Sequence, residues 1–105
     1  MKILVIAQRR PEVSFEQIRP LINAEVEAVW RLYTQGFVRE FYTRADNGGP
    51  AILAVESESI EAAWKALAEL PLVEQKLLDL ELIPLAPFKS LEHLFQNESL
   101  NIAHS

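Results

Sequence analysis

Glu25 occupies a position that an amphipathic helix normally gives to a hydrophobic side chain. Projected at about 100° per residue from Ile18, the residues Leu21, Ile22, Val29, Leu32 and Tyr33 fall within about 60° of one direction, and Glu25 lies at about −20°, near the middle of that stripe. Glu16 and Glu27 fall on the opposite side, where acids usually sit. An unpaired carboxylate is costly to bury, so Glu25 must be paired, protonated or set in a wet pocket. In a pocket its pKa would rise, and it could move protons near neutral pH. The competing reading is structural: a salt bridge to an arginine, Arg39 or one from a neighbouring subunit.

A second group lies just downstream, in a segment that reads as a strand. Alternation puts Glu40 and Tyr42 on one face and Phe37, Arg39 and Phe41 on the other. Tyr42 with Glu40 could bind and protonate a small oxygenated ligand, while Arg39 holds a carboxylate and Tyr33, on the Glu25 stripe, adds a contact. Edge strands are also charged simply to prevent unwanted pairing, which accounts for the same residues without chemistry.

Other candidates carry less. His93 and His104 are the only histidines, both in the C-terminal tail, and no His–carboxylate spacing suggests a metal site or another cofactor. Trp30 flanks the first helix's stripe and Trp64 lies on the second helix's stripe, as packing or subunit contacts would. Asp46-Asn47-Gly48-Gly49 links two strands and so reads as a turn, not a phosphate loop. Arg9-Arg10, followed by Pro11 and Glu12, reads as a solvated strand exit.

The elements that must position these residues follow from the hydrophobic pattern. Ile3–Ala7 and Ala51–Val55 are apolar at every position, as strands buried on both faces are. Ser14 with Gln17 makes a capping box for a helix running to about Gln35 and ended by Gly36, with Pro20 placed to kink or restart it. Phe37–Thr43 is a second strand, paired through the Asp46–Pro50 turn with Ala51–Val55. Ile60, Ala63, Trp64 and Leu67 mark a second helix that stops near Leu70-Pro71, and Leu77–Ile83 is a fourth strand. Ser90–Gln96 reads as a short helix whose Leu91, Leu94 and Phe95 pack on a neighbouring subunit.

This order is βαββαβ, an α+β chain with a ferredoxin-like antiparallel sheet and two helices on one face, strands one and three central. Residues 1–87 form that domain and 88–105 a tail. Helices cover one face only, yet both faces of the central strands are apolar, so the second face requires a cover; a second copy is the simplest, making a homodimer or higher oligomer. The chain of 105 residues has formal net charge −5 and no cysteine, which argues against a nucleic-acid surface and excludes disulfide or thiolate chemistry. With neither a signal peptide nor a membrane-length apolar run read from the sequence, a cytoplasmic protein is expected.

With these residues in place, the stretch from about Leu21 to Ala86 resembles the muconolactone isomerase-like family of the dimeric α+β barrel superfamily. Glu25 stands eleven residues before Gly36, where that family also places a helix glutamate ahead of a glycine. Val55-Glu56-Ser57, Leu70-Pro71-Leu72 and the run Asp79–Ala86 are similar to its third-strand exit, its post-helix turn and its last strand. The family carries a histidine and a tryptophan where this chain has Glu40 and Tyr42, and the first strand matches less well. The resemblance implies a cofactor-free proton shift that moves a double bond in a small unsaturated lactone or related hydrophobic, oxygenated metabolite, with Glu25 as base or acid and Glu40 or Tyr42 as its polar partner. A non-catalytic, oligomeric small-molecule-binding or assembly domain of the same fold is the alternative.

Overall fold

In the computed structural model, which describes residues 1–49 and 51–96, the two wholly apolar segments become the centre of a four-stranded antiparallel sheet. Strand β1 spans Lys2–Arg9, β2 Val38–Thr43, β3 Ala51–Glu56 and β4 Leu78–Leu85, in the spatial order β2-β3-β1-β4. The sequence places α2 (Ile22–Thr34) between β1 and β2 and α3 (Ile60–Leu67) between β3 and β4, which completes the ferredoxin-like arrangement.

Register assigns each side chain a face. Ile3 opposes Val55 and Val5 opposes Leu53, with Val38 and Phe41 beside them on β2. Against this face α2 lays Ala28, Val29 and Leu32, and α3 lays Ala63 and Leu67. Burial there is essentially complete: Ile3, Val38, Val55 and Leu67 are each 0% exposed. The other face carries the rows Tyr42–Ile52–Ile6–Glu81 and Glu40–Ala54–Leu4–Ile83. Leu4, Ile6, Ile52 and Ile83 remain half-buried at its centre.

Pro20 breaks the first helix, as its missing N–H demands. A single turn, α1 (Phe15–Ile18), leads through a 3₁₀ turn at Arg19–Leu21 into α2. The Gln17 side chain accepts the Ser14 N–H at 2.8 Å and so secures the start. α2 ends in a Schellman turn: Gly36 sits at φ 86°, with Phe37 N–H bonded to Leu32 O and Gly36 N–H to Tyr33 O, both at 3.0 Å. Ser59 caps α3, its hydroxyl accepting the Ala62 N–H at 3.0 Å.

One element goes beyond the sequence reading. After α3 the chain forms a further turn of helix, α4 (Pro71–Glu74), with Pro71 at its first position and Leu72 buried. It closes with the same Schellman bonds, Leu77 N–H to Leu72 O and Lys76 N–H to Val73 O at 3.0 Å, but here Lys76 takes the left-handed conformation at φ 61°. This turn seats Leu72 and Leu77 with Ala7, Val13, Ile18 and Leu78 in a second small core. The tail forms a 3₁₀ turn at Lys89–Glu92 and a single turn, α5 (His93–Gln96), leaving Phe88, Leu91, Leu94 and Phe95 exposed. His104 and the remainder of the tail lie outside the described residues. Among the described residues no helix is long and apolar enough to cross a membrane.

Candidate functional site

An open cleft of about 960 Å³ runs between the covered face of the sheet and α2. Val5, Ala7 and Leu53 form its floor, while Ile18, Val29, Leu72 and Leu78 form apolar walls. Glu25, in the first turn of α2, lines it. The helical stripe therefore does carry an acid inward, and the acid meets a cavity.

Among the described residues Glu25 has one polar partner. Its Oε1 accepts the backbone N–H of Leu72 at 2.8 Å. That N–H belongs to the first turn of α4, whose N-cap residue Leu70 offers no side-chain acceptor, so a carboxylate from α2 satisfies a donor the short helix would otherwise leave orphaned. Among the described residues no cation forms a salt bridge with Glu25. Desolvation raises its pKa above the ordinary 4.5, and the Leu72 hydrogen bond, a smaller influence, pulls it down.

The other sequence candidates do not converge on Glu25. Glu40 falls on the opposite face of the sheet beside Ala54, as does the side chain of Tyr42 beside Ile52, although Tyr42 also borders the cleft where β2 ends. The second strand does place Glu40 and Tyr42 on a common face, but that face is not the one Glu25 lines.

Arg39 is diverted by a register shift between Val38 and Glu40, a bulge that breaks the alternation. The covered side of β2 therefore presents Val38 and Phe41, and Phe37, just ahead of the strand, packs against the same core; of the three residues expected on that side, only Arg39 leaves it. Arg39 Nε donates to Gly36 O at 2.7 Å, and the side chain borders a shallow depression with Met1 and Glu56. It is thus neither a partner for Glu25 nor a residue of the main cleft.

Tyr33, expected to contact a ligand, does not itself line the cleft but stands against two residues that do. Its ring stacks on Trp30, with centroids 5.1 Å apart and planes at 28°, and meets Phe41 at 5.3 Å. Trp30 and Phe41 themselves line the cleft, so Trp30, read from sequence as a packing residue, borders the site.

Arg9 is the residue that sequence reasoning missed. The strand runs two residues past Ala7, and Arg9 pairs opposite Leu78 on the covered side, where it borders the cleft mouth. Its neighbour Arg10 bonds Asp79 at 2.9 Å. Alternation carried as far as Arg9 was the available signal; ending the strand at Ala7 hid it. Arg44 also borders the mouth, but Asp46 binds it through two hydrogen bonds of 3.0 and 2.7 Å, which raises the Arg44 pKa and lowers that of Asp46.

Among the described residues no group of three His, Cys, Asp or Glu side chains is placed to hold a metal ion. The cleft can therefore offer a ligand one desolvated carboxyl group, an aromatic edge and guanidinium groups at the mouth. No protein-family profile matches this chain, and no curated protein is detectably similar to it.

Proposed function

We propose that this chain is a cofactor-free isomerase of muconolactone isomerase-like type, shifting a proton and a double bond in a small unsaturated lactone or related oxygenated metabolite bound beside Glu25. One observation carries the reading: a desolvated carboxyl group with raised pKa, lacking a cationic partner among the described residues, lines a cleft large enough for a metabolite.

A single carboxylate suffices for such a shift. Glu25 takes a proton from one end of a three-carbon unit, leaving a dienolate whose charge rests on the lactone oxygen; the carboxyl proton exchanges with water in the open cleft, and Glu25 then delivers a proton to the other end on the same face. No net oxidation occurs and no second acid is required, which matters because Glu40 and the Tyr42 side chain face away. The reading includes self-association through the half-buried face of the sheet and a cytoplasmic location.

The second reading, a non-catalytic binding or assembly domain, is favoured by the hydrogen bond from Leu72 to Glu25, which gives the acid a structural reason to be where it is. Glu25→Gln separates the two. The amide oxygen can still accept the Leu72 N–H, but the side chain cannot carry a proton. In deuterated buffer, proton NMR of a β,γ-unsaturated five-membered lactone should show label entering with the double-bond shift for the parent chain. The variant should be folded and slower by about 10²–10⁴-fold. No exchange by the parent, or equal exchange by both, would leave Glu25 as a structural cap.

A further inference from the structure

We propose that the ligand class of this cleft is an extended, planar, unsaturated acid, its flat body lying against Trp30 and Phe41 and its carboxylate held by Arg9. This deepens the proposed function in that it takes the cleft as the ligand site; it does not depend on the proton shift.

Size comes first. A cleft of about 960 Å³ is near the upper end of the roughly 300–1,000 Å³ found for sites that take drug-sized molecules. A lone five-membered ring would leave most of it to water.

Shape comes from the aromatic edge. Trp30 and Phe41 border the cleft at 55% and 43% exposure, large apolar surfaces left open where a ligand would lie. Tyr33 touches both rings, bridging α2 to β2, so their orientation is braced before anything binds. Offset stacking rewards a flat conjugated partner over a puckered aliphatic one.

Charge comes from the mouth. Two guanidinium groups border the cleft, and Asp46 already occupies that of Arg44 in a two-bond pair. Arg9 forms no ion pair among the described residues, with Glu25 or with any other acid. Its register opposite Leu78 places it on the cleft side of β1, two residues beyond Ala7 in the floor. A guanidinium suits a planar carboxylate because its paired donors match the two oxygens.

Calorimetric titration of the full chain with three probes tests the assignment. 2-Naphthoate has both the flat body and the charge, 2-naphthamide has the body alone, and cyclohexanecarboxylate has the charge without planarity. The parent should bind 2-naphthoate at least about tenfold tighter than either other probe, the factor that a charge-assisted hydrogen bond or a stacked ring supplies. Arg9→Gln should abolish the preference over the amide, Arg9→Lys should restore part of it, and Trp30→Ala should weaken 2-naphthoate about tenfold, all with unchanged circular dichroism. Equal affinity for acid and amide, a preference that survives Arg9→Gln, or no naphthoate binding by the folded parent would overturn the assignment. Lactone exchange without naphthoate binding would overturn this inference and leave the isomerase reading standing. Naphthoate selectivity without lactone exchange would do the reverse.

Discussion

On the side of the sheet under α2 and α3, Ile3, Val55 and Val38 are sealed from solvent, whereas on the other side Leu4, Ile6, Ile52 and Ile83 stop at half-burial with Glu40 and Glu81 at their flanks. The same two central strands supply both sets, so composition is not what differs. The covered side is finished by the chain's own helices, which leave open the cleft that holds Glu25. The opposite side is apolar at the centre and acidic toward the edges, as a surface is when another layer completes it. One face is sealed by the chain's own helices with a cleft let into it; the other keeps its apolar centre half open. That division explains why Glu40 and Tyr42, for all their chemical promise, lie apart from Glu25.

The sharpest way to break this comparison is to put a charge on each side. Val55→Asp sets a carboxylate at a fully enclosed position and should cost more than about 4 kcal/mol, leaving no cooperative unfolding transition. Ile6→Asp, on the other face opposite Glu81, should keep the circular dichroism of the fold while shifting sedimentation toward the monomer. A parent chain that already sediments as a stable monomer would end the argument for self-pairing.

Next in size is Leu67→Ala on the inner face of α3, which should destabilise by about 2–5 kcal/mol in chemical denaturation because the side chain it truncates is fully buried. Leu4→Ala, on the half-buried face, should cost the monomer distinctly less. Equal losses would mean that the two faces do not differ as described.

A smaller effect belongs to pH. Burial raises the Glu25 carboxyl above 4.5, so the folded chain holds that proton more tightly than the unfolded chain does. Its contribution to stability is therefore complete below pH 4.5 and is lost as pH rises through the raised value. Glu25→Gln should gain on the parent over that window when denaturation midpoints are compared, and a constant gap would show that the acid is not desolvated. Smallest is Lys76→Gly, which relieves the left-handed position at φ 61° and should stabilise by at most about 1 kcal/mol, bringing the α4 turn into line with the one at Gly36. A loss instead would mean that the Lys76 side chain earns its place through contacts.

Much of this was legible beforehand. Strand order, the break at Pro20 and the inward position of Glu25 all follow from periodicity and from the apolar content of Ile3–Ala7 and Ala51–Val55, because those signals repeat along a segment. What escaped were features set by single residues. The bulge beside Arg39 depends on one unpaired position in β2, which no alternation pattern announces. Arg9 depends on whether β1 ends at Ala7 or runs two residues further. The partner of Glu25 is a backbone N–H of α4 forty-seven residues further along the chain, a relation that no local pattern encodes.

The bond between Glu25 and Leu72 ties two duties to one atom pair. A neutral carboxyl is a poorer acceptor than a carboxylate. A proton on Glu25 therefore weakens this bond without removing its acceptor, since a carbonyl oxygen still faces the Leu72 N–H. A guest that changes the charge of this one group thus also changes the strength of a bond joining α2 to α4 in the wall of its own container.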